Sequence, residues 1–86
     1  MARKTRQDNV LDYLRDWCGG EKSYGFHVSR ETIVDNIATE TIAWHDLKDN
    51  AATQSVYRGI VRGMLTDEKL HIFGEGTHTC QWLAIK

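Results

Sequence analysis

Eighty-six residues with a formal charge of −1, 41% of them hydrophobic and 27% charged, fit one domain with a thin core. That balance argues against a generic polyanion binder, and no window approaches the ~18 apolar residues of a membrane span. The basic start, Met1 to Arg6, runs into Gln7-Asp8-Asn9 instead of the apolar stretch of a signal peptide, so a cytoplasmic protein is expected.

Charge is unevenly placed. Met1 to Arg6 holds Arg3, Lys4 and Arg6 with no acid. Glu31 to Asn50 holds Glu31, Asp35, Glu40, Asp46 and Asp49 against Lys48 alone, and Ala51 to Thr66 holds Arg58 and Arg62 with no acid. An anionic partner should therefore meet the N-terminal arm and the segment after Asn50.

Residues 1–7 read as a flexible basic arm ahead of a domain over 8–86. Val10, Leu11, Tyr13, Leu14 and Trp17 fall on one stripe of a first helix, capped by Asp8 or Asn9 and ended by Gly19-Gly20. Glu21 to Gly25 reads as a loop and Phe26-His27-Val28 as a short extended piece. Ser29 caps a second helix carrying Ile33, Val34, Ile37 and Ala38. The β-branched cluster from Thr39 to Ile42 predicts a break there, with Trp44 and Leu47 in a separate turn of helix.

Asn50 or Thr53 caps a third helix, in which Val56, Tyr57, Ile60, Val61, Met64 and Leu65 recur at helical spacing. Gly59 and Gly63 inside it suggest close packing against the first helix. Leu70 to Phe73 and Thr77 to Ile85 flank Gly74-Glu75-Gly76 and predict a hairpin with a three-residue loop. That register sets Ile72 near His78 and Leu70 near Cys80. It turns Leu70, Ile72, Cys80, Trp82 and Ala84 to the core, and Phe73, Leu83 and Ile85 outward.

The order helix, short strand, helix, helix, hairpin resembles the winged-helix family of DNA-binding domains over nearly the whole chain. Thr53 through Thr66-Asp67-Glu68-Lys69-Leu70 looks like a recognition helix running into a wing, and Gln81-Trp82-Leu83 is similar to an aromatic-centred last strand. The resemblance implies an α+β fold: three helices, a C-terminal two-stranded β-hairpin wing, and a short strand before helix two. It also implies a regulatory protein, acting in transcription or on genetic elements, with the helix over 53–66 in the major groove of duplex DNA.

On that reading Thr53, Gln54, Ser55, Arg58 and Arg62 supply base and phosphate contacts, since Arg suits the guanine edge and Gln the adenine edge. Arg3, Lys4 and Arg6 would track phosphates, and Thr77 and His78 would serve in the wing. A homodimer is expected, because one small module seldom binds DNA tightly alone. The rival reading is a protein-interaction module in a larger assembly, docking through Phe73, Leu83, Ile85 and Trp44.

No catalytic constellation, cofactor or metal site is expected. Cys18 follows a helix instead of opening one, so no helix N-terminus activates its thiol. Both Cys18 and Cys80 read as small buried hydrophobes. His78 and Cys80 share a hairpin face, but no Cys-x-x-Cys pair accompanies them.

Overall fold

The computed structural model describes residues 5–75, 77 and 79–86. Its elements are α1 (Arg6–Asp16), β1 (Glu21–Gly25), α2 (Arg30–Trp44), α3 (Ala51–Thr66), β2 (Leu70–Phe73) and β3 (Gln81–Ile85). Three helices cover one face of a three-stranded antiparallel sheet of order β1-β3-β2. The α+β class therefore holds, with a sheet of three strands where a two-stranded wing and a separate short strand were expected. No helix among the described residues is long and apolar enough to cross a membrane.

Helix α1 starts earlier than expected. Thr5 caps it, its hydroxyl accepting from the Asp8 amide while the Asp8 carboxylate accepts from the Thr5 amide. This reciprocal box satisfies two otherwise orphaned donors and places Arg6 and Gln7 inside the helix. Val10, Tyr13 and Leu14 face the core.

Two segments change roles. Glu21–Gly25, expected as a loop, is β1, because its backbone pairs with β3 some sixty residues away. Phe26 to Val28, expected as extended, is a turn in which His27 takes φ 57°. The side-chain oxygen of buried Gln81 anchors that turn by accepting from the Val28 amide at 2.6 Å.

Helix α2 does not break at Thr39–Ile42. Thr41 and Ile42 are buried, and packing outweighs the weak helix propensity of β-branched residues. The helix ends beyond Trp44, where Asp46 takes φ 53° and the Leu47 amide reaches back to the Ile42 carbonyl at 2.9 Å. Asn50 then caps α3, accepting from the Thr53 amide. A Cβ at Gly59 or Gly63 would meet nothing within 4 Å, so the expected close packing at these glycines is absent.

The hairpin register differs from the sequence expectation and flips a face. Ile72 pairs with Leu83 and Leu70 with Ile85, which leaves residues 74–80 as the connection. An odd shift in register exchanges inside and outside. Leu83 is thus fully buried, Ile85 packs against the core, and Trp82 lies on the outer face. Gly74 opens the connection at φ 78°, and a Cβ there would lie 2.7 Å from the Cys80 carbonyl oxygen. Both cysteines are half-buried and free, not fully enclosed.

Candidate nucleic-acid interface

Helices α2 and α3 run antiparallel, and polar side chains couple them at every fourth residue. Glu31 grips Arg62 through two hydrogen bonds, 2.5 and 3.2 Å long. One turn along, Asp35 Oδ1 lies 3.7 Å from Arg58 Nε. A further turn along, the Thr39 hydroxyl donates to Gln54 Oε1 at 3.3 Å, while Gln54 Nε2 donates to Asp49 at 3.0 Å. Each step of four forward on α2 matches a step of four back on α3. The hydrogen bonds from Arg62 hold the Glu31 carboxyl below the usual carboxylate range and raise the Arg62 guanidinium in turn.

Gln54, Arg58 and Arg62 therefore share one seam, but they are already occupied by α2. Thr53 and Ser55 lie in the first turn of α3, Thr53 half-buried and Ser55 exposed. Ser55, Gly59 and Thr66 make an exposed outward strip in which Arg62, turned towards Glu31, is the charged member.

A different part of the expected set comes together at the start of α1. Arg6 lines a hollow of about 180 Å³ with Ala52, Thr53, Val56 and Tyr57. Asn9 fixes this arrangement: its amide nitrogen donates to the Tyr57 hydroxyl at 2.8 Å. His45 Nε2 lies 2.7 Å from the Asn9 carbonyl oxygen, tying in the end of α2. No acid lies in the first turn of α3 itself, and Asp49, just before the Asn50 cap, is engaged by Gln54. Arg3 and Lys4, which precede this point in the chain, lie outside the described residues.

In the loop after β2, Glu75 accepts two hydrogen bonds from Arg30, at 2.7 and 2.9 Å, which fasten the loop to the start of α2. Thr77 is exposed and its hydroxyl donates to the Gly74 carbonyl. His78 lies outside the described residues. Of the four residues expected to form a docking surface, Phe73 and Trp44 are each 39% exposed, while Leu83 and Ile85 belong to the core side.

Two features escaped the sequence reading. The acids Glu31 and Asp35 were visible as a charged tract, and their spacing of four matches that of Arg58 and Arg62; the matched spacing was the available signal. The second is a half-buried polar cluster between the helices and β1. Lys22 Nζ donates to the Tyr13 hydroxyl at 3.1 Å and to Asn36 Oδ1 at 2.7 Å, and Tyr24 donates to the same Asn36 oxygen at 2.8 Å. Burial pushes both tyrosine hydroxyls up, so they stay neutral. Among the described residues no group of three His, Cys, Asp or Glu side chains is placed to hold a metal ion.

Comparison with protein-family models, with curated proteins and with solved structures found no match.

Proposed function

We propose that this chain is a winged-helix DNA-binding module of a small regulatory protein, acting as a homodimer. It meets duplex DNA mainly through the end where α1 and α3 begin. The observation that carries this reading is the hollow shared by Arg6 and the start of α3, with no carboxylate among the described residues that line it. Residue order supports it as well: the basic arm leads directly into that end, and α3 is followed by the strand, loop and strand that a wing requires. Arg58 and Arg62 take a smaller part than their charge suggests. For either to grip a phosphate, it must leave Glu31 or Asp35 bare beside another anion.

Fluorescence anisotropy of a random-sequence duplex, at low and near-physiological salt, tests this. The wild type should bind in a salt-sensitive way. Replacing Arg3, Lys4 and Arg6 together by Gln should flatten the salt dependence by up to ~3 units of slope, against less than ~1 unit for Arg58→Gln with Arg62→Gln. Absence of binding at low salt, or indifference to the triple change, defeats the reading.

A protein-interaction module is the second reading. It is favoured by the neutralised arginines of α3 and by the exposed stack of Phe73 on Trp82.

A further inference from the structure

The sheet surface turned away from the helices is not flat. β1 contributes Glu21 and Ser23 to it, β3 contributes Trp82 and Ala84, and β2 contributes His71 and Phe73. Trp82 sits at the centre of this face, with Ser23 as its cross-strand partner on one side and Phe73 on the other. The Phe73 ring lies 4.9 Å from the indole and 8° from parallel, so it covers one face. His71 braces Phe73 edge-on at 4.5 Å.

On the β1 side, Trp82, Ser23 and Glu21 line a hollow of about 340 Å³. Ala84, the partner of Glu21, offers only a methyl group there and leaves the space open. Glu21 is exposed, and among the described residues no cation pairs with it.

Each wall restricts the occupant. A free indole face attracts a cation through its quadrupole, and Trp is the best of the aromatic side chains for this. A carboxylate at the rim adds charge attraction and repels phosphate. A planar cation with a fork of donors satisfies both walls at once, by stacking on the ring and pairing two N–H groups with the carboxylate. An ammonium group meets the charge requirement but cannot stack.

We propose that this hollow is a docking subsite for an arginine side chain presented by a basic segment of a partner protein. The guanidinium lies on the open face of Trp82, making a third layer upon Phe73 and Trp82, and Glu21 accepts its paired hydrogen bonds. The Ser23 hydroxyl, 3.4 Å from the Cys80 sulfur, offers a lone pair as one further acceptor when it donates to that sulfur. This subsite is separate from the DNA reading and stands or falls without it.

The test is an NMR titration of the full chain with the peptide Gly-Arg-Arg-Gly, following the three indole N–H signals, with that of Trp82 assigned by its loss in Trp82→Phe. The Trp82 signal should move while those of Trp17 and Trp44 stay, and Glu21→Gln should weaken the effect at least ~10-fold. Because Glu21 is exposed, that variant keeps the fold, which the unmoved Trp17 and Trp44 signals verify. The citrulline peptide, equal in shape but uncharged, should leave Trp82 unmoved, and the lysine peptide should bind more weakly than the arginine one. Equal effects from citrulline or lysine, or an unchanged response in Glu21→Gln, overturn the proposal. So does a Trp82 signal that moves with oligothymidylate but not with the arginine peptide, since the platform would then take nucleobases.

Discussion

Thr41 lies fully buried on α2, and its hydroxyl has no hydrogen-bond partner among the described residues. A stranded hydroxyl costs desolvation with nothing in return, so Thr41→Val should raise stability by about 1 kcal/mol. A higher urea midpoint with an unchanged slope is the expected result, and a lower midpoint would show that the hydroxyl is satisfied after all. The pair Trp82 and Leu83 offers a second check at this scale. Leu83→Ala should cost ~2–5 kcal/mol, because it empties a fully enclosed core site. Trp82→Ala should cost only about 1 kcal/mol, the worth of a cross-strand aromatic pair at a partly exposed position. The reverse ranking would restore the three-residue hairpin loop and its opposite face assignment.

Among the elements, the ion pairs that tie α2 to α3 and to the loop after β2 give stability a pH dependence. Hydrogen bonds from Arg62 and Arg30 hold the carboxyls of Glu31 and Glu75 below the usual range. A carboxyl lowered by folding adds stability above its unfolded value, and that stability is lost as pH falls through the folded value. Glu31→Gln with Glu75→Gln should therefore be less stable than the wild type near neutrality, with the gap closing as pH drops below the ordinary glutamate range. Urea midpoints measured from neutral pH down to about pH 3 test this. A gap that stays constant would assign the loss to packing and not to charge. The same elements show what the sequence made legible. All three helices were readable because their apolar stripes are local, as are the caps Ser29 and Asn50; the first cap, expected at Asp8 or Asn9, is Thr5 instead. The continuation of α2 past Thr39 was not, since burial of Thr41 and Ile42 is decided by the rest of the fold. β1 was hidden for a similar reason: Glu-Lys-Ser-Tyr-Gly has no strand pattern, and its partner is β3. At the candidate interface, Arg6 and Thr53 were both visible as types, but their shared hollow depends on Asn9 reaching Tyr57.

At the scale of the molecule, charge among the described residues cancels locally on the α2–α3 side. The cations on the α2–α3 side meet acids in pairs, Arg30 with Glu75, Arg62 with Glu31 and Arg58 with Asp35. Arg6, at the start of α1, lies apart from these pairs, beside the hollow it shares with α3.

The placement of β3 between β1 and β2 has a kinetic side. Both outer strands precede it in the chain, and neither pairs with the other. During synthesis the backbone groups of Glu21–Gly25 must wait through some sixty further residues for their partner, while the helices between can already form. The inner positions Leu70 and Ile72 are likewise left half-covered until Gln81–Ile85 arrives. The sheet thus closes only when its central strand arrives, like a zip whose slider is β3, and the outer face centred on Trp82 exists only in chains that have completed it.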